Sequence, residues 1–331
     1  MTNQSRRDFL KFAGLGLSTV AAQQLLTACG VKPSATQVPA APTDPEFPQE
    51  ATGSPTATQA NLPDMVVTHG KEPETLIRQG IAALGGMERF MKPGANVIIK
   101  PNICVGYNTY EYATTTNPWV VSALVKMCLE AGAKQVRVMD NGFGGDARSC
   151  YLGSGIEEQV VAAGGVMEVM TNLKYADTDI PNAKSLKTAK TCQDTSSADF
   201  VINPPIAKNH SMATLTLGLK NLMGTIQQRE RIHPSFEHNL VDLATVIRPH
   251  LTIVDAIRTL MDNGPTGGDL NDVKEQDTII FSPDIVAADA YATRLFGMTP
   301  QDIPYIMAAG ERGLGKTDLS GLKIEEFNVA A

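Results

Sequence analysis

One short segment of the chain, residues 208–224, concentrates side chains that can hold an anion. Lys208, His210, Lys220 and Asn221 supply ammonium, imidazole and amide donors, which are groups that bind phosphate and carboxylate. The surrounding sequence is apolar and weakly charged, and the whole chain has a formal net charge of -7. Because cations in such a setting focus a local positive potential, we expect a binding pocket here. The alternative is that both lysines are solvated.

Four further residues are candidates for the same pocket. Lys100 and Asn102 follow an apolar run, and Thr115 and Thr116 precede the expected start of a helix at Asn117. Backbone amides at a helix start are free to bind an anion, and the helix dipole favours negative charge there. The threonines could instead only cap the helix.

Asp140, His210 and Asp255 are candidate ligands of a divalent metal. Each aspartate ends an apolar run, and oxygen and imidazole ligands suit such ions. The alternative is that the aspartates cap the following helices and that the histidine bonds to the backbone. Asn263 begins the glycine-rich segment 263–268, which either closes over a ligand or only reverses the chain.

Short apolar strands alternate with helices along most of the chain, and these elements must position the candidate residues. The sequence predicts strands at 65–68, 96–100, 135–140, 166–170, 199–203, 251–255 and 278–281, and helices at 72–91, 117–132, 156–163, 240–247 and 285–296. The polar stretch 173–197 is predicted to leave the sheet. We therefore expect an α/β fold: a mostly parallel sheet with helices on both faces, in a single large domain that could have two lobes. In such sheets ligands bind beyond the carboxyl ends of the strands, where many of the candidates lie.

The first 28 residues have the features of an export signal. Arg6 and Arg7 precede a moderately apolar, glycine-containing stretch, which resembles a signal for the twin-arginine translocase. The other interpretation, a membrane-spanning helix, fails on length: Gln23 and Gln24 end the apolar run well short of the ~20 residues that a bilayer requires. We therefore predict that the translocase is a partner during export.

The signal is followed by a predicted lipid anchor and a tether. Residues 26–29 resemble a bacterial lipobox, in which Cys29 becomes a diacylated N-terminus. Two acyl chains would hold the protein firmly on a bilayer, on the periplasmic or cell-surface side of the membrane. Residues 29–62 are rich in Pro, Thr and Ala, with Phe47 as their only aromatic residue, so we expect a disordered tether. The folded domain is expected at 63–331.

The composition excludes two broad classes of protein. Hydrophobic residues make up 43% of the chain and charged residues 19%, which is incompatible with disorder throughout. The 28 Lys and Arg residues are outnumbered by 35 Asp and Glu residues, so a nucleic-acid partner is not expected.

An ordered set of segments between residues 65 and 320 resembles domain-of-unknown-function family 362. The segments include 99–102, 115–121, 204–210, 214–224, 253–257 and 262–268. The resemblance implies the fold more than the function, because the family has no settled activity. Its members often have His at the position of Asn117, and many carry a ferredoxin-like iron–sulfur segment. This chain has no C-x-x-C spacing, so no iron–sulfur cofactor is expected.

Two other features of the sequence bear on cofactor and reaction. Residues 310–317 match the letters of a phosphate-binding loop, but a helix is predicted before them and none after, so an ATP site is rejected. No nucleophile stands out, and Cys104 and Cys128 are expected to be core thiols. The leading hypothesis is a lipid-anchored protein outside the cytoplasm whose polar cleft binds a small anionic ligand or cofactor. The alternatives are a non-catalytic accessory of a membrane redox complex and a metal-dependent enzyme.

Overall fold

The computed structural model describes residues 61–330 of the protein. The predicted export signal with Arg6 and Arg7, the predicted lipidation site Cys29 and nearly all of the predicted tether lie outside these residues. The strands, in chain order, are β1 (Met65–His69), β2 (Asn96–Ile99), β3 (Gln135–Val138), β4 (Val166–Met167), β5 (Tyr175–Asp179), β6 (Thr188–Cys192), β7 (Phe200–Asn203), β8 (Ile206–His210), β9 (Thr214–Thr216), β10 (Leu251–Leu260), β11 (Val273–Ser282) and β12 (Ile324–Asn328).

The α-helices lie between these strands, as the alternating pattern predicts. They are α1 (Pro73–Ala83), α2 (Pro118–Glu130), α3 (Ala147–Gly153), α4 (Ile156–Ala162), α5 (Gln193–Ser197), α6 (Gly218–Asn221), α7 (Phe236–Val246), α8 (Ile285–Ala292) and α9 (Pro304–Glu311). Helix α2 starts where the sequence places its cap, because the Asn117 side chain accepts a hydrogen bond from the Trp119 amide at 3.0 Å. No helix among residues 61–330 is both long enough and apolar enough to span a bilayer.

Most neighbouring strands of the large sheet are parallel, which confirms the predicted fold class. The strand order is β12-β1-β11-β10-β7-β2-β3-β4, and β8 and β9 are attached beside β10. The pairs β10–β7, β7–β2, β2–β3 and β3–β4 are parallel, whereas β11 is antiparallel to both of its neighbours. A parallel centre brings the carboxyl ends of β2, β3 and β7 to one edge of the sheet.

Helices cover both faces of this sheet. Successive side chains of a strand point to opposite faces, and accordingly Val66 packs in one hydrophobic cluster while Met65 and Val67 pack in another. The first cluster includes α1 and α2 side chains, and the second includes α7, α8 and α9 side chains. The sheet lies between the two clusters, which is the predicted arrangement.

Several element boundaries differ from the sequence-based expectation. Helix α1 ends at Ala83 and not near residue 91, because Gly85 and Gly86 adopt φ angles of 106° and 83° that terminate the helix. Strands β10 and β11 are each ten residues long and form an extended antiparallel hairpin. The polar stretch 173–197 does leave the main sheet, but it is ordered, since β5 and β6 form a separate antiparallel pair.

Candidate functional site

A pocket of about 340 Å³ opens beyond the ends of the central strands. Seven of the predicted site residues line it: Lys100, Asn102, Asp140, Lys208, His210, Lys220 and Asn221. The topology explains why they meet, since Lys100 directly follows β2, Asp140 lies two residues beyond β3, and Lys208 belongs to β8. Residues that are far apart in the chain therefore converge at the edge where parallel sheets bind ligands.

Lys100 and Asp140 form a buried ion pair at the inner end of the pocket. Their Nζ and Oδ1 atoms are 2.8 Å apart, and the two side chains are only 2% and 4% exposed. The Lys100 ammonium also donates to the Pro101 carbonyl and to Asn221 Oδ1, both at 2.9 Å, and Asp140 Oδ2 accepts from the Ile103 amide at 2.7 Å. Burial lowers the pKa of Lys100 to about 8, and the negative charge of Asp140 opposes that shift.

Lys208 is a second buried cation, and it is held without a carboxylate. Its Nζ donates to Asn102 Oδ1 at 3.1 Å and to the carbonyls of Thr114 and Pro265 at 2.7 and 3.0 Å. All three acceptors are neutral, and burial lowers the pKa of the amine. No carboxylate of the described residues lies within ion-pair distance of it. In its protonated form Lys208 therefore has no carboxylate partner, and its charge can act on the pocket.

Two asparagines connect these lysines into one hydrogen-bonded network. Asn102 Nδ2 donates to Asn221 Oδ1 at 2.9 Å, which also accepts from Lys100. Asn221 Nδ2 in turn donates to Asn203 Oδ1 at 2.9 Å and to the Lys100 carbonyl at 3.2 Å. Every member of the network has its geometry fixed by two or more partners, so the cations are held in place before any ligand arrives.

Lys220 and Arg229 add two cations that are closer to solvent. The ammonium of Lys220 lies 5.7 Å from the centre of the Phe236 ring and makes no hydrogen bond or ion pair within residues 61–330. Burial and the nearby positive charge of Lys208 lower the pKa of Lys220 to about 8. The Arg229 guanidinium donates to the carbonyls of Asn141 and Gly142. Both cations keep donors available for a ligand.

His210 is a neutral hydrogen-bond donor in this pocket. Its Nδ1 atom accepts from the backbone amides of Met212 and Ala213, both at 3.1 Å, so the ring proton must reside on Nε2. Burial and the positive charges of Lys220 and Lys208 lower the pKa of the imidazole to about 3. His210 therefore presents a fixed N–H group and no positive charge over the physiological pH range.

Basic side chains outnumber carboxylates in the pocket. Its lining contains four of them, Lys100, Lys208, Lys220 and Arg229, and the single carboxylate of Asp140. One basic side chain is therefore paired with a carboxylate of the lining and three are not, in a protein whose net charge is -7. Such an arrangement suits an anionic ligand and disfavours a cationic one.

Thr115 and Thr116, which the sequence suggests as anion ligands, do not line the pocket. The Thr115 hydroxyl donates to the Asn102 carbonyl at 2.7 Å. The Thr116 hydroxyl donates to the Pro204 carbonyl at 2.8 Å and accepts from the Asn102 amide at 2.9 Å. Both hydroxyls are hydrogen-bonded to backbone groups, and through these bonds they position Asn102 in the site.

Asp255 and Asn263 are also placed outside the pocket. Asp255 is fully buried and accepts from the amides of Asn117 and Ile257 at 2.7 and 3.2 Å, and burial raises its pKa to about 6. It holds the N-cap residue of α2, a helix far upstream in the chain, and does not cap the helix that follows it. Asn263 is exposed and donates to Asp272 Oδ2 at 2.8 Å. The glycine-rich segment 263–268 nevertheless contributes Pro265 and Thr266 to the pocket wall.

The metal candidates do not converge. Asp140 and His210 line the pocket, but Asp140 is paired with Lys100 and Asp255 is committed to backbone amides elsewhere. Within residues 61–330 no group of three or more His, Cys, Asp or Glu side chains is arranged to hold a metal ion. Residues 310–317 begin inside α9 rather than after a strand, which is not the setting of a phosphate-binding loop.

Sequence reasoning missed several residues that line the pocket. Arg229 lies in a 3₁₀ segment with mixed charges that carries no recognisable signal, and Cys104 is expected from its surroundings to be a core thiol. Cys104 is indeed buried, but it also lines the pocket, where its sulfur lies 3.6 Å from the Pro265 carbonyl oxygen. Phe143 and Met212 belong to connecting segments, where exposed apolar residues are common.

Comparison with known proteins places the chain in a family. The sequence model of the family described as domain of unknown function (DUF362) matches residues 97–294, a range that contains every residue of the network described above. The chain therefore belongs to the DUF362 family. A thylakoid-associated protein of Synechocystis sp. is 33% identical over 250 residues, which is 73% of this chain and 75% of that protein.

Among solved structures, the chain has a partial likeness to the lactate racemase apoprotein of Thermoanaerobacterium thermosaccharolyticum. The TM-score is 0.44 and the sequence identity 10%, and the match covers 70% of this chain and 56% of the racemase chain. This chain thus spans little more than half of the racemase. At this level of similarity the racemase indicates nothing about the activity of the present protein.

Proposed function

We propose that this protein binds a small carboxylate or phosphate in the pocket around Lys220, and that it does so outside the cytoplasm at a membrane surface. The observation that carries the first part is the surplus of three basic side chains over carboxylates in one pocket, with the Lys220 ammonium left without a partner among residues 61–330. Charged groups in a protein interior are normally paired, because loss of hydration is costly. A bound anion would supply the missing partner.

The network suits binding better than simple stabilisation of the fold. Lys100 and Lys208 already have three oxygen neighbours each, so they provide charge from fixed positions. Lys220, Arg229 and the Nε2 hydrogen of His210 provide donors that can contact the ligand. This division between a rigid charged base and available donors gives affinity and orientation at once.

Replacing Lys220 with methionine tests the proposal. We expect inorganic phosphate or acetate to bind the full-length protein at pH 7, and we expect the variant to bind about 10- to 100-fold more weakly, because it loses a charged hydrogen-bond donor. Isothermal titration calorimetry measures both affinities. Lys92→Met, which removes an exposed lysine outside the pocket, is the control and should bind like the wild type. Equal binding by both variants, or no binding of either anion by the wild type, would contradict the proposal.

The same binding should depend on pH in a defined direction. The Lys220 amine is protonated below its pKa of about 8 and becomes neutral above it. Since only the ammonium form attracts an anion, the affinity for acetate, whose own charge does not change in this range, should be highest below pH 8 and fall as the pH rises through that value. Lys100 has a similar pKa, so the Lys220→Met variant should keep only the weaker part of this dependence that comes from Lys100.

The membrane part of the proposal rests on the predicted lipid anchor at Cys29 and the predicted twin-arginine signal. It is supported by the thylakoid-associated relative, while no helix among residues 61–330 provides an alternative means of spanning a bilayer. Replacing Cys29 with alanine should move the protein from the membrane fraction to the soluble fraction. Immunoblotting of fractions washed with high salt measures this, because salt removes proteins held by charge and leaves those held by acyl chains. Retention of the variant on salt-washed membranes would contradict lipid anchoring.

A further inference from the structure

Two large apolar side chains stand at the opening of the pocket, in contrast to its charged interior. Phe143 and Met212 both line the pocket and are 67% and 56% exposed, so they stand at its mouth. They come from two different connecting segments, Phe143 from the one between β3 and α3 and Met212 from the turn between β8 and β9. Large apolar side chains are thus exposed to water on two of the segments that border the entrance, beside the exposed polar residues Ser211 and His233.

The backbone holds these two side chains at the entrance. The amide of Phe143 donates to the Cys104 carbonyl at 2.8 Å, and the amide of the next residue, Gly144, donates to the same oxygen at 2.9 Å. The amide of Met212 donates to Nδ1 of His210, which is itself part of the pocket. Their exposure therefore belongs to ordered, hydrogen-bonded segments that are tied directly to the site.

We propose that the ligand of the pocket is an anion that carries an apolar group. The carboxylate or phosphate lies against Lys220 and Arg229, and the apolar group packs against Phe143 and Met212 at the entrance. This inference rests on the proposed function and adds the class of ligand to it.

The basic side chains inside the pocket and the apolar side chains at its entrance both support an anionic ligand with an apolar group. A small hydrated anion alone would satisfy the cations but would leave Phe143 and Met212 in water. An apolar group attached to the anion removes those side chains from water, and burial of apolar surface is favourable. The same chemistry is offered by a soluble aryl or alkyl phosphate and by an anionic lipid, so the experiment must separate these two sources.

The test compares phosphate with phenyl phosphate on the full-length protein. We expect phenyl phosphate to bind at least about tenfold more tightly, since burial of a phenyl ring favours binding by at least that factor. In the double variant Phe143→Ser/Met212→Ser the ratio of the two affinities should fall below about threefold. The control is Leu173→Ser, which removes an apolar side chain that is 97% exposed and lies outside the pocket, and it should keep the wild-type ratio.

A vesicle experiment identifies the source of the ligand. The Cys29→Ala variant, which lacks the predicted anchor, is sedimented with phosphatidylcholine vesicles that contain phosphatidic acid, with and without phenyl phosphate. Sedimentation that phenyl phosphate abolishes supports an anionic lipid, and absence of sedimentation together with tight phenyl phosphate binding supports a soluble ligand. Equal affinity for phosphate and phenyl phosphate, or a ratio that the double variant leaves unchanged, overturns the inference while the proposed function stands. Failure of the wild type to bind either compound contradicts the proposed function itself.

Discussion

Replacing Asp140 with asparagine is expected to lower the free energy of unfolding by about 3–5 kcal/mol, because the substitution leaves the Lys100 ammonium buried without its counter-ion. The two groups are 2.8 Å apart and almost completely inaccessible to water. The remaining acceptors of Lys100, the Pro101 carbonyl and Asn221 Oδ1, are neutral and do not replace the lost charge. Urea denaturation followed by circular dichroism measures the change.

A matched control is provided by an ion pair on the surface. Glu130 accepts two hydrogen bonds from the Arg78 guanidinium, both of 2.7 Å, but both side chains are well exposed. Glu130→Gln removes the same type of charge and should cost less than about 1 kcal/mol. A loss for Asp140→Asn as small as that of the control would show that the buried pair does not hold the site together.

The pH dependence of the Asp140 variant gives an independent signature. In the folded wild type the pKa of Lys100 is about 8, below its ordinary value of 10.5, so folding releases a proton between these values and stability from this group increases with pH across that window. Asp140 opposes the lowering of this pKa, so without it the window begins below pH 8. The difference in stability between variant and wild type should therefore shrink as the pH is raised from 6 to 8.

The sequence predicts the fold class and the convergence of the site for one physical reason. Apolar runs such as 97–99 and 200–202 are buried on both faces, which requires a parallel sheet between two layers of helices. Once the sheet is parallel, polar residues directly after its strands must meet at one edge. Lys100 and Asp140 meet there without any local signal that relates one to the other.

The roles of individual polar residues could not be obtained in this way. Asp140 and Asp255 both follow apolar runs, but Asp140 faces a lysine and the pocket, whereas Asp255 accepts from the amide of Asn117 at the start of α2. Thr116 likewise has a hydroxyl of the kind that can bind an anion, but this hydroxyl is already hydrogen-bonded to a backbone carbonyl and a backbone amide of neighbouring loops. The role of each of these side chains depends on the group that tertiary packing brings opposite it. The spacing of residues along the chain does not encode which group that is.

The first part of strand β11 and the pocket residue Arg229 were not predicted from the sequence, for a related reason. Strand β11 begins with Val273 and continues through residues 274–277, which are polar and partly exposed, so this part lacks the apolar run of a buried strand. They are ordered because they pair with the end of β10, a partner that is also partly polar. Arg229 enters the pocket from a 3₁₀ segment and gives no periodic signal. Long-range pairing, rather than local propensity, determines these positions.

Gly224→Ala is expected to destabilise the protein by about 2–3 kcal/mol and to weaken anion binding, because the Lys100–Asp140 pair occupies the space that a side chain would need. A Cβ atom at position 224 would overlap with Asp140 Oδ1 and lie 2.5 Å from Lys100 Nζ. Either the pair must separate or the segment 222–225 must move, and the Gly224 carbonyl also accepts from the Asn141 amide in the pocket wall. Gly321→Ala, where no atom lies within 4 Å of the new methyl group, is the control and should be nearly neutral.

Combining Gly224→Ala with Asp140→Asn shows whether the glycine acts through the ion pair. If the methyl group destabilises the protein by separating Lys100 from Asp140, the pair can be lost only once, so the double variant should cost clearly less than the sum of the two single changes. Denaturation of all four proteins under the same conditions gives this coupling energy. Additive losses would mean that the methyl group acts through the backbone of 222–225 alone. In that case the absence of a side chain at position 224 would serve the fold of the loop and not the placement of the buried charge.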